Sequence, residues 1–186
     1  MYNDFAYVYD RLMQDVDYGA WADYIEKIFK AERVKPSLVL DLGCGTGSFC
    51  IGMAERGYEM IGVDLSADML CLAKEKALKA SKDILYLNQD MTEFELYGTV
   101  DAVVCLMDSV NYVTEEEGLE AMFALVNNYL NPGGVFVFDI NTKYKFEKIL
   151  AGSVFYSVEE DISYIWENRY DSEKELCEFD LTFFTK

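Results

Sequence analysis

At 186 residues the chain is long enough for one domain with a sizeable core and too short for two comfortable ones. Hydrophobic residues make up 52% and charged residues 27%, the apolar runs (100–107, 135–140) are only strand-sized, and MYNDFAYVYDRLMQD has no basic start followed by an apolar run, so a membrane span and a signal peptide are both excluded and a cytoplasmic protein is expected. The 16 Lys and Arg against 34 Asp and Glu leave a net charge of -18, which repels phosphate backbones; a neutral or cationic small molecule is the expected partner, and no nucleic acid.

The chain opens with an aromatic-rich segment, Tyr2, Phe5, Tyr7, Tyr9 and Tyr18, with Trp21. Trp21, Tyr24, Ile25, Ile28 and Phe29 recur at helical spacing and predict an amphipathic helix over 17–34. Residues 37–42 (SLVLDL) read as a short buried strand running into Gly43-Cys44-Gly45-Thr46-Gly47. A helix over 48–56 ends at Gly57, a good left-handed terminator, and a second strand over 58–63 is closed by Asp64. Ser66 caps a helix to about Ser81, with Asp68 in the first turn where its charge suits the helix dipole. Third and fourth strands are predicted at 84–87 and 100–106.

Thr114 and Glu117 have capping-box spacing and open a helix bearing Leu119, Met122, Phe123, Val126 and Leu130. Asn131-Pro132-Gly133-Gly134 stops it before a fifth strand at 135–140. Apolar strands alternating with helices imply an α/β fold, a doubly wound and mostly parallel sheet. After Gly152 the rhythm changes: strands at 155–158, 162–170 and 176–184 are separated by the polar turns 159–161 and 171–175 and should pair antiparallel. Residues 1–152 are thus expected as a Rossmann-like core with an N-terminal helical lid, and 153–186 as an added antiparallel β segment. An apolar strand running to the last residue, Lys186, predicts an edge that favours a homodimer.

Five cysteines (Cys44, Cys50, Cys71, Cys105, Cys177) form no CxxC pair, and the sequence has no histidine. Scattered and odd in number, they read as reduced thiols. Without histidine there is no Ser-His-Asp or Cys-His chemistry and no histidine-ligated metal; no metal site is expected.

The stretch Val39-Leu40-Asp41-Leu42-Gly43-Cys44-Gly45-Thr46-Gly47 carries the chemistry. Glycines at a strand-to-helix turn let the backbone approach a ligand closely. The spacing is GxGxG, not the GxGxxG of dinucleotide sites, and the Asp41 carboxylate would oppose a pyrophosphate but suit a ligand bearing an ammonium and a sulfonium. Asp64, ending the second strand, can accept both hydroxyl hydrogens of a ribose, or can serve only as a cap beside Ser66. Asp108, Asn111 and Tyr112 follow the fourth strand, at the end of an open parallel sheet where ligands bind; Asp108 can equally bond the loop backbone.

The nine residues 39–47 resemble motif I of class I S-adenosylmethionine-dependent methyltransferases, and the resemblance covers roughly the first 140 residues. It implies S-adenosylmethionine as the cofactor, with Asp41, Gly43, Cys44, Gly45 and Gly47 shaping its methionine end. Leu65 and Met69 would flank the adenine, with Asp90 accepting the adenine amino hydrogen and the backbone of Met91 contacting the ring, although an aspartate after a strand is commonly a turn residue. Leu106 closes the fourth strand beside the cofactor. Residues 108–112 resemble the Asp/Asn-Pro-Pro-Tyr motif of amino-group methyltransferases in position only, since both prolines are absent. The aromatic N-terminus resembles the lid of bacterial small-molecule methyltransferases, where Tyr9 and Tyr18 would face the sulfonium. Asp108 is the candidate to orient the methyl acceptor. The family usually closes its sheet with a further antiparallel pair, so the resemblance implies a truncated or shortened chain. Two other functions stay open: a non-catalytic S-adenosylmethionine-binding module, and an NAD-linked oxidoreductase.

Overall fold

Residues 38–42 alternate their side chains between two apolar surroundings, as a central strand of a parallel sheet must. The computed structural model describes residues 3–158 and 161–185; Tyr2 of the aromatic opening, Glu159 and Glu160 of the first polar turn and the terminal Lys186 lie outside them. The strands β1 (Leu38–Leu42), β2 (Glu59–Asp64), β3 (Leu85–Asn88), β4 (Val100–Cys105) and β5 (Leu130–Phe138) form one parallel sheet in the order β3-β2-β1-β4-β5. Around it run α1 (Asn3–Leu12), α2 (Tyr18–Ala31), α3 (Ser48–Glu55), α4 (Ala67–Lys79) and α5 (Glu116–Tyr129).

Alternation sorts the core into two layers. Val39, Met60, Ala102 and Val104 pack with Ile25 and Phe29 of α2, Phe49 and Met53 of α3, and Ala73 of α4. Leu40, Leu42, Val63 and Val103 face Met122 and Val126 of α5, with Phe94 and Val110. The helix caps follow the sequence: the Asp17 carboxylate accepts from Ala20 N at 2.8 Å, and Ser66 Oγ from Met69 N at 3.3 Å. Tyr24 and Phe123, counted in the apolar stripes, are instead exposed, at the rim of each helix's buried face.

Two expectations need correction. The capping box of Thr114 and Glu117 does not form, because α5 begins at Glu116; Glu115 is then the N-cap, and no side chain caps the helix. The fifth strand starts at Leu130 and ends at Phe138, leaving Ile140 outside it and exposed. Its register jumps from Val100↔Leu130 to Ala102↔Val135, so residues 131–134 form an irregular bulge opposite Asp101. That carboxylate ties the bulge down: it accepts from Asn131 Nδ2 at 2.9 Å and from the backbone N–H groups of Ser37 and Leu38 at 2.8 and 3.0 Å. Those three donors hold its pKa below the ordinary carboxylate value.

The chain divides into two compact units, residues 1–139 and 140–186. The second holds a short π-helical segment, Lys145–Leu150, which the sequence pattern does not announce, and the antiparallel sheet β6 (Val154–Val158), β7 (Ile162–Asp171), β8 (Leu176–Thr185), within a residue of the expected strands. Asn168, buried on β7, binds the Ser153 carbonyl through both its backbone N–H at 3.0 Å and its side-chain amide at 3.1 Å. No helix among the described residues is long and apolar enough to cross a membrane.

Candidate functional site

The site grows from the carboxyl end of β1. Gly43, Gly45 and Gly47 have φ of +74°, +53° and +73°, so the turn is left-handed at alternate residues and side chains are strained there. The three glycines meet different surroundings. A Cβ on Gly43 would lie 2.8 Å from Ser109 Oγ, so this glycine lets the segment after β4 close over the turn. A Cβ on Gly47 would run into the Tyr86 hydroxyl and, at 2.9 Å, into Ala73 Cβ, so this one seats α3 against α4 and β3. At Gly45 a Cβ would meet nothing within 4 Å: the backbone there borders open space.

Two carboxylates flank the turn. Asp64, at the end of β2, accepts from Gly45 N at 2.7 Å through Oδ2 and from Ser66 N at 2.9 Å through Oδ1. Burial raises its pKa, and the two N–H groups partly offset that. Asp41, fourth residue of β1, is buried, and its Oδ2 accepts from the Cys50 thiol at 3.1 Å. Burial first, and then the charge of Asp64, push its pKa up to about 7, while the Cys50 hydrogen bond pulls the other way.

Tyr9, Gly43, Gly45, Asp64, Leu65, Met69 and Met91 line a cleft of ≈ 490 Å³, within the range of small-molecule sites. Tyr9, Tyr18, Asp41, Cys44 and Leu106 line an adjoining recess of ≈ 40 Å³. Four residues expected at the site, Gly47, Asp90, Asp108 and Asn111, lie off both walls. Gly47 packs inward, as described. Asp90 Oδ1 accepts from Thr92 N and Oγ1, both at 2.8 Å, which makes it the anchor of a local turn. Asp108 lies in a left-handed pair with Met107 (φ +54° and +57°), and its N–H donates to Asp139 Oδ2 at 3.0 Å. That unusual turn swings Met107, Ser109 and Tyr112 into the cleft wall, while the Asp108 charge raises the pKa of Tyr112 and Tyr9, each already raised mainly by burial.

Sequence reasoning missed Ser109, Gln89, Thr46 and Ser48 as wall residues. Ser109 and Gln89 carry a usable signal, since each follows the carboxyl end of a parallel strand. Nothing local marks Thr46 and Ser48 beyond their place in and after the glycine turn.

Known proteins share this sequence and fold. A family model described as a methyltransferase domain matches residues 39–134. A protein of Geobacillus sp. (strain WCH70), named as a methyltransferase, is 37% identical over 100% of this chain and 75% of its own length. The crystal structure of an S-adenosylmethionine-dependent methyltransferase from Clostridium acetobutylicum ATCC 824 superposes with a TM-score of 0.88 at 33% identity, again over 100% of this chain and 75% of that one. The dTDP-3-amino-3,4,6-trideoxy-alpha-D-glucopyranose N,N-dimethyltransferase of Streptomyces venezuelae is 35% identical over 137 residues, 72% of this chain and 56% of that protein. From the glycine turn, its two carboxylates and these likenesses together, the chain belongs to the class I S-adenosylmethionine-dependent methyltransferases.

Proposed function

We propose that the chain methylates a small molecule, with an amine nitrogen as the acceptor class to test first. The observation that carries this is the open backbone at Gly45, bracketed by Asp41 and Asp64, at the mouth of a cleft of small-molecule size. When bound, S-adenosylmethionine supplies a methyl group already activated on a sulfonium, so the protein's task is alignment and exclusion of water.

The residues present fit that cofactor. Each Asp64 oxygen already takes one backbone N–H and keeps a second lone pair for a ribose hydroxyl. Leu65, Met69 and Met91 give the same cleft an apolar wall suited to a purine. Asp41, in the recess beside the glycine turn, would meet the ammonium of the methionine end, and Tyr9 and Tyr18 would offer ring faces to the sulfonium. Both tyrosine hydroxyls are held protonated by burial, so neither serves readily as a base near neutral pH. Asp108, off the cleft wall but near enough for its charge to raise the pKa of the wall residue Tyr112, is then the candidate to orient an ammonium acceptor. Asp90 would contribute to the adenine edge through the turn it anchors, where its Oδ1 accepts from Thr92 N and Oγ1.

An amine is favoured because the Streptomyces venezuelae relative is named for methylating an amino sugar, and because a surface of net charge -18 concentrates cations and repels nucleic acid. The same reading places the protein in the cytoplasm, as its free cysteines suggest, and gives it a homodimer contact through β6–β8. The direct test is calorimetric titration with S-adenosylhomocysteine, followed by a panel of amines, alcohols and thiols in which product S-adenosylhomocysteine is counted. Binding and turnover confined to amines are expected. Turnover on alcohols alone would overturn the acceptor class, and undiminished turnover by Asp108→Ala would remove Asp108 from its role.

A further inference from the structure

Three segments far apart in sequence meet at one ammonium group. Lys76 of α4 binds Asp10 Oδ1 on α1, Ser48 Oγ at 2.6 Å in the first turn of α3, and Thr46 Oγ1 at 3.3 Å inside the glycine turn. The Thr46 hydroxyl donates in turn to the same Asp10 oxygen at 2.6 Å. All three Lys76 donors are thereby used. The lysine and aspartate side chains retain only 23% and 27% exposure, and Thr46 is buried, so the cluster is largely withdrawn from water.

Apolar contacts hold α1 as well, with Val8 buried on the same helix. Ala6, with Tyr9 beside it, joins Met69 and Leu72 in a small apolar cluster, and Tyr7 reaches Glu75 at the surface. A helix of 10 residues does not sustain itself in water, so its tertiary contacts, the Asp10 cluster among them, decide whether it stays docked. Yet α1 carries Phe5 and Tyr9, whose rings lie 6.1 Å apart and both line the cleft.

We propose that Lys76 is a positioning residue that latches the lid helix α1 onto the glycine turn through Asp10 and Thr46, and that a bound cofactor leaves only when this latch opens. The proposal rests on the reading of the cleft as the S-adenosylmethionine site. Its physical content is a coupling. If α1 departs, the buried Thr46 hydroxyl loses its acceptor and the Lys76 ammonium loses its counter-ion, so lid and turn favour each other's closed arrangement. A ligand held beneath Tyr9 strengthens the docked state, and by reciprocity the docked state slows release of that ligand.

The test uses the whole chain and two readouts. Hydrogen exchange of amides in α1, with no ligand present, reports the latch itself. Stopped-flow displacement of S-adenosylhomocysteine reports its coupling to the site. Lys76→Met and Asp10→Asn should each speed exchange in α1 and release by about tenfold, the scale of one lost charge-assisted hydrogen bond, while exchange in β1 and β4 is unchanged. Lys76→Arg, which keeps the charge, should recover most of the slow release. Faster exchange spread over the whole sheet would mean a merely structural lysine and overturn the proposal, as would release rates equal to the parent's. If the parent protein binds no S-adenosylhomocysteine, the functional reading fails instead, and α1 exchange alone judges the latch.

Discussion

Asp41 is the residue whose chemistry most constrains the site, because its carboxyl is buried and its pKa is pushed up to about 7. Between the ordinary carboxylate value and pH 7 the folded protein binds a proton there that the unfolded chain has released. Stability contributed by this group is therefore present in acid and falls as pH rises through that window, by at most ~1.4 kcal/mol per unit, levelling above 7. Cofactor binding should run the other way, since an ammonium beside Asp41 demands the charged form and affinity should drop as pH falls below 7. Asp41→Asn is then expected to flatten both curves: its urea midpoint should gain on the parent's from pH 5 to 8, while its S-adenosylhomocysteine affinity is weak and nearly independent of pH. Parallel profiles for parent and variant would remove Asp41 from the role. That Asp41 stands at the turn was legible, because a strand of five residues leaves little freedom in where its carboxyl end lies. The latch of Asp10, Thr46 and Lys76 was not legible, because its members are 36 and 66 residues apart and each looks like an ordinary polar surface residue.

At the scale of elements, periodicity placed the strands and helices closely wherever an apolar face recurs, and failed where the chain does without one. Between β3 and β4 the second face of the sheet is covered by no helix; residues 89–99 cross it as an irregular segment. Phe94 fills the place, fully buried, its ring 5.5 Å from that of Tyr129. A single aromatic in a polar stretch has no period, so sequence reasoning passed over it, just as it passed over the π-helical turn after β5. The same segment carries Gln89 and Met91 into the cleft wall, which links core packing to the site. Phe94→Ala should cost about 3–5 kcal/mol of unfolding free energy in the first unit, as large-to-small changes in closed cores do, and should weaken S-adenosylhomocysteine binding through displaced Met91. Denaturant unfolding followed by a probe in the first unit measures the former, calorimetry the latter. A loss below about 1 kcal/mol would mean that the segment collapses onto the gap and that Phe94 is not its anchor.

Across the whole molecule, charge and apolar exposure pull association in opposite directions. One face of the β6–β7–β8 sheet shows Tyr156 opposite Ile165, with Val154, Val158 and Phe184 exposed as well. A grouping of this kind favours burial against a second copy. The net charge of -18 opposes it, since like-charged copies repel over a distance of roughly 10 Å at 0.1 M salt, and the repulsion weakens as salt shortens that range. If the exposed face is a dimer contact, raising sodium chloride from about 20 mM to about 0.5 M, which cuts the screening length several-fold, should shift sedimentation toward the dimer. Ile165→Lys, which sets a charge at the middle of the patch, should return the protein to a monomer at both salt concentrations while leaving S-adenosylhomocysteine affinity unchanged, because the cleft residues all belong to the first unit. Salt-induced association that persists in Ile165→Lys would place the contact elsewhere on the surface, and a monomer at high salt and high concentration would show that the patch alone is too weak to pair two copies against their charge.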